Sequence, residues 1–131
     1  MPRCYQAPSA APSDHAARLE FVIIAAHIPQ LARHADAGDR TALPIAADDA
    51  QAKAEAAAII DRLGFDTVDA GSLADSWRSE PDTAVYGRIY FEDPAVPEDQ
   101  MMDAKAGPTP AAQIQSALDE AERVNIAERR F

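Results

Sequence analysis

Between Asp48 and Ala70 the sequence reads DDAQAKAEAAAIIDRLGFDTVDA, and this stretch constrains the fold more than any other. Asp48 or Asp49 is a helix cap, since a short carboxylate side chain can take one of the amide hydrogens left free in the first turn. Gln51 stands three residues after Asp48, where it can complete a capping box. Helical spacing then places Ala52, Ala56, Ile59, Ile60 and Leu63 on one apolar face. Gly64 follows at the position where a left-handed C-cap is needed, and Phe65 is placed to touch Ile60 as a Schellman motif requires. The predicted helix therefore runs from Asp49 to Leu63.

The flanks of this helix read as strands. Thr41–Ala46 alternates weakly, with Leu43 and Ile45 on one side, and Pro44 predicts an edge strand or an irregular start. Phe65–Ala70 alternates, with Val68 and Ala70 on one side and Phe65 and Thr67 on the other. Strand, helix and strand in this order make a βαβ unit, whose crossover is expected to be right-handed and parallel. A third strand is expected at Phe21–Ala25, inside the continuous apolar run Phe21–Ala26, although a short core helix has the same signature. The predicted fold class is α/β: a small, mostly parallel sheet with a βαβ unit and a C-terminal helix, a partial Rossmann-like piece.

The chain divides into four stretches. Residues 1–17 carry prolines, alanines and serines without periodicity and are expected to be disordered or a linker. Residues 18–91 form the α/β domain, in which Ser72–Trp77 reads as a short helix and Val85–Phe91 as an aromatic, β-prone stretch interrupted by Gly87. Residues 92–109 are acidic and proline-rich and read as an extended linker. Residues 110–131 hold the final helix, with Thr109 as cap and Pro110 as first residue. Its stripe is Ile114, Ala117, Leu118, Ala121 and Val124, ending near Asn125 or Arg129.

Composition limits the size of the core. Of 131 residues 47% are apolar, yet Leu, Ile, Val and Phe make up only about 18%, below the usual globular share, and alanine supplies much of the rest. One thin core is the most such a chain encloses. The 12 Lys plus Arg face 22 Asp plus Glu, a net charge of -10, and the basic residues are scattered. Neither nucleic acid nor an anionic membrane is an expected partner. The apolar run Phe21–Ala26 is too short to span a bilayer and no signal-peptide pattern follows Arg3. Cys4 is the single cysteine, so a reducing, cytoplasmic location is expected. The thin core with its apolar run predicts a homo-oligomer, or a partner chain that covers the exposed sheet.

Chemistry-bearing motifs are sparse. The five glycines, at 38, 64, 71, 87 and 107, fit neither a dinucleotide nor a P-loop fingerprint, so no cofactor-binding residue is assigned. His15, His27 and His34 do not make a metal ligand set, and no metal site is expected. No catalytic residue is assigned. The one candidate pocket is Trp77, Arg78, Glu80 and Tyr86, just after the strand and Gly71, at the end of the sheet where open α/β folds bind ligands. Its plain alternative is aromatic packing over the edge of a thin core, with Arg78 turned to Glu80 or solvent.

Residues 40–87 resemble the C-terminal part of bacterial NADP oxidoreductases of the deazaflavin-coenzyme-dependent type, a group of predicted dinucleotide-binding proteins. The resemblance rests on ALPIAADDAQAK, LGFDTVDAG and SWRSEP followed by Tyr86, and extends weakly upstream through AAHIPQLAR. It implies an NADP-dependent oxidoreductase that transfers hydride between NADP and a deazaflavin-type coenzyme or similar acceptor. The family's N-terminal Rossmann half, with its glycine fingerprint, has no counterpart here; residues 1–17 stand in its place. Leu19 replaces the family's Lys, Phe21 matches, and Val22 and Ile23 replace an Asn pair. The expectation is a truncated or divergent member, inactive as an isolated chain. The alternative is a non-catalytic binding or oligomerisation module.

Overall fold

Ala42–Ala47, here β2, is buried at every position, so both of its faces are covered. The computed structural model describes residues 17–19, 27–123 and 125–128, with backbone alone at 17–19 and 126. The predicted strand at Phe21–Ala25, nearly all of the tail 1–17, and Val124 of the final stripe lie outside the described residues. The other elements are β1 (Ala17–Leu19), α1 (Ile28–Leu31), α2 (Ala50–Leu63), β3 (Asp66–Asp69) and α3 (Ala111–Asp119). The sheet order is β1-β2-β3. β2 and β3 run parallel, Leu43 opposite Thr67 and Ile45 opposite Asp69, while β1 adds an antiparallel neighbour with Ala17 opposite Ala47. The fold is α/β, with a small sheet, a βαβ unit (β2-α2-β3) and a C-terminal helix.

The strand with Pro44 is the central one, not an edge strand. The reason is directional: residues 43, 45 and 47 turn their backbone groups toward β3, and Pro44 faces the other way. Among the described residues the β1 ladder on that side pairs Ile45, Ala46 and Ala47, and no ladder bond there calls on the Pro44 nitrogen. Ala42, one alternation earlier, reaches out of the sheet and donates to the Thr109 carbonyl at 2.9 Å.

Helix α2 starts and stops where the local chemistry sets it. Asp49 is the cap, its carboxylate accepting from the Ala52 amide at 2.6 Å. Gln51 completes no capping box; it donates to Glu55 one turn on. At the other end Gly64 is left-handed at φ 102°, Phe65 N–H reaches Ile60 O at 3.2 Å and Gly64 N–H reaches Asp61 O at 3.0 Å. These two bonds are the paired pattern of a Schellman motif. The buried face is narrower than the spacing predicted. Ala52 and Ile60 are buried with Ala56 and Ala57 beside them, but Ile59 and Leu63 are 51% and 53% exposed. A fourteen-residue helix over a three-stranded sheet buries one stripe, centred on 52, 56 and 60, and the flank at 59 and 63 overhangs it.

The core is Leu31, Leu43, Ile45, Ile60, Phe65, Val68, Val85, Tyr90, Ile114 and Leu118 with interspersed alanines. Each large aliphatic side chain so enclosed contributes about 1.5–3 kcal/mol. α2, α3 and the 3-10 segment Leu73–Ser79 all pack on β2. That segment fills the place of the expected Ser72–Trp77 helix, and Ser72 with Asp75 forms its capping box.

Val85–Phe91 is not a strand. Gly87 takes φ 72°, a 3-10 turn covers Arg88–Tyr90, and Phe91 alone makes a bridge, to Ala106. Residues 92–109, expected to be an extended linker, leave and rejoin the fold at one place. Glu92 N–H donates to Lys105 O and Gly107 N–H to Tyr90 O, both at 2.9 Å. His27, fully buried, contacts the Ala104 carbonyl through Nε2 and stacks obliquely on Phe91 at 5.0 Å. Thr109 does not cap α3 with its side chain. Its hydroxyl donates to Ile89 O at 2.8 Å and its amide to Thr41 Oγ1 at 3.1 Å, and Pro110 occupies the cap position. α3 stops at Asp119, short of the expected Asn125 or Arg129. Among the described residues no helix is long and apolar enough to cross a membrane.

Candidate functional site

The parallel pair β2–β3 ends at Ala47 and Asp69, and the side chains carrying charge collect beyond those ends. Lys53, one turn into α2, reaches across to the Asp69 carboxylate at 2.7 Å and to the Gly71 carbonyl at 2.9 Å. The same Asp69 oxygen accepts the Gly71 amide at 2.8 Å. The hydrogen bond from Lys53, then that from Gly71, hold the Asp69 carboxyl below the ordinary carboxylate range against a small opposing effect of burial. Asp48 accepts the Leu73 amide at 3.0 Å, tying the β2–α2 turn to the start of the 3-10 segment.

Two open clefts border this network. One, about 450 Å³, runs along α2 and β3, with Ala50, Ala54 and Ala57 on its wall and Asp48, Lys53 and Asp69 at its rim. The other, about 370 Å³, lies between β3 and α3 and is lined by Asp69, Asp75, Arg78, Gln115, Leu118 and Asp119 among others.

Of the sequence-predicted pocket residues, Arg78 lines the second cleft, and the other three do not. Trp77 lies beneath Arg78, whose guanidinium carbon is 4.9 Å from the indole centre, and Arg123 approaches the same ring at 5.6 Å. Glu80 is half-buried and accepts from Thr83, and Tyr86 is 45% exposed. Arg78 is not turned to Glu80; its Nη1 donates to Leu118 O at 3.0 Å. Lys53, Asp69, Asp75 and Asp119 were not singled out in the sequence. Only Asp75 had a local signal, as the third residue after Ser72 in a capping box. The others meet through the crossover of the βαβ unit and the return of α3.

Among the described residues no group of three or more His, Cys, Asp or Glu side chains is arranged to hold a metal ion. Comparisons with protein-family models, with curated proteins and with solved structures found no match to this chain.

Proposed function

We propose that this chain is a divergent piece of the deazaflavin-coenzyme-dependent NADP oxidoreductase family that neither binds NADP nor transfers hydride on its own. The observation that carries the reading is the turn between β2 and α2. A dinucleotide fold holds the pyrophosphate at its first βα turn, against free amides at a helix N-terminus and a glycine-rich backbone, and β2–α2 is the βα turn of the one βαβ unit among the described residues. Here the turn is Ala47-Asp48-Asp49-Ala50, the Ala52 amide is already taken by Asp49, and Asp48 adds a second carboxylate. Two negative charges at this turn repel a phosphate, so it offers no substitute for the missing glycine-rich cradle. The order of the three quoted motifs supports the family kinship, and the single Cys4 supports a reducing, cytoplasmic setting.

Titration with NADPH, followed by nicotinamide fluorescence, tests this reading. The expected result is no saturation through the micromolar range. A low-micromolar dissociation constant would overturn it. A second reading, a non-catalytic binding or oligomerisation module, is favoured by exposed Ile59 and Leu63, which lie four apart on one flank of α2.

A further inference from the structure

We propose that the cleft between β3 and α3 is a binding site for a small zwitterion carrying an extra positive charge, an amino acid of the lysine or arginine class. It lies where the parallel strand β3 ends, the usual ligand end of an α/β sheet. Its volume of about 370 Å³ is at the lower end for small-molecule sites. This inference is independent of the family reading.

The wall carries one guanidinium and three carboxylates that face one cleft without meeting. Among the described residues Arg78 makes no ion pair, although Asp69, Asp75 and Asp119 line the same space. Each charge is held by its own neighbours instead. Arg78 is fixed by Leu118 O and by the Trp77 ring, Asp69 by Lys53 and Gly71, Asp75 by Ser72 at 3.0 Å, and Asp119 by Gln115 at 2.9 Å. Among the described residues nothing hydrogen-bonds Nε or Nη2 of Arg78, which leaves them to take a carboxylate in the paired geometry a guanidinium favours. With Lys53 pairing Asp69, three carboxylates stand against two cations and leave one negative charge in excess, which selects a ligand with more ammonium than carboxylate. A dibasic amino acid has that balance, with its carboxylate on Arg78 and its amines toward Asp119 and Asp75. A dinucleotide or a simple anion is repelled by the same wall.

The chain has one tryptophan, and it lies under Arg78, so its emission reports on the site. Full-length chain is titrated with L-lysine, glycine and cadaverine in parallel. L-lysine is expected to shift the emission saturably. Glycine lacks the side-chain amine and cadaverine the carboxylate, and each is expected to be at least about tenfold weaker, the loss of one charge-assisted contact. Arg78→Gln should remove the preference for lysine over cadaverine. Because that variant also loses the bond to α3, Asp119→Asn on the exposed end of α3 serves as the second one, with an expected severalfold loss of lysine affinity. No saturation with lysine by about 10 mM, equal binding of cadaverine, or an unchanged lysine affinity in Asp119→Asn each overturns the proposal.

Discussion

Gly64 and Arg40 hold one junction together. Gly64 combines φ 102° with close approach: a Cβ there would lie 2.8 Å from both Arg33 N and Arg33 O, and the Gly64 carbonyl accepts the Arg33 amide. The left-handed conformation alone costs a side chain about 1–2 kcal/mol. Backbone atoms cannot rotate away as a side chain can, so Gly64→Ala should cost about 2 kcal/mol or more, read from the midpoint of urea unfolding. Arg40, 6% exposed, donates to the carbonyls of His34, Asp61 and Phe65 and to the carboxylates of Asp61 and Asp66. The carboxylates are 63% and 48% exposed, so water replaces the guanidinium there at little cost. The Phe65 carbonyl, at a buried residue, has no such replacement. Arg40→Met is therefore expected to cost about 2–3 kcal/mol, and Asp61→Asn under about 1 kcal/mol. Similar losses in the two unfolding curves would mean the ion pair carries the junction, contrary to this account.

Helix α2 is the element on which the site depends, because it brings Lys53 to Asp69, while the turn before it ties Asp48 to Leu73. Its N-terminus relies on a single side-chain cap, Asp49, with no acidic residue in the first turn to assist. Asp49→Ala should therefore destabilise by about 1 kcal/mol, within the usual range for a lost cap. Thermal unfolding followed by circular dichroism measures this, and no change in the midpoint would place the functional cap at Asp48. The return of residues 92–109 onto the fold shows the opposite dependence. It has little regular structure of its own, and its ends are set by Tyr90, Phe91 and Thr109, all buried side chains that anchor an otherwise polar excursion.

At the scale of the whole molecule, the sheet is small and the core thin, and α2 overhangs it with Ile59 and Leu63. A net charge of -10 opposes association, but at physiological salt, charges farther apart than about 8 Å are largely screened. Apolar contact is then expected to dominate, and light scattering at moderate salt should give a mass above the 14.0 kDa of one chain. Ile59→Lys with Leu63→Lys should return it to a monomer without loss of helix. A folded monomer of the unaltered chain at moderate salt contradicts this expectation.

The βαβ unit was legible in the sequence because cap, helical stripe, C-cap glycine and following strand are all local signals that agree. Asp49, Gly64 and the Phe65–Ile60 bond involve residues within one or two turns of one another, so local sterics and hydrogen bonding specify them without reference to distant residues. The centrality of the Pro44 strand depended on which way one N–H points within a three-stranded ladder. The exposure of Ile59 and Leu63 depended on how wide the sheet beneath them is. The candidate site was half legible for the same reason. Arg78 follows β3 closely in sequence and could be placed at its end, whereas Asp119 reaches the cleft from forty-one residues away and Lys53 meets Asp69, at the cleft's edge, from the far side of a crossover. Charges that distant in sequence are brought together by burial of Ile114, Leu118 and Ile60, apolar residues whose packing partners only the tertiary structure decided.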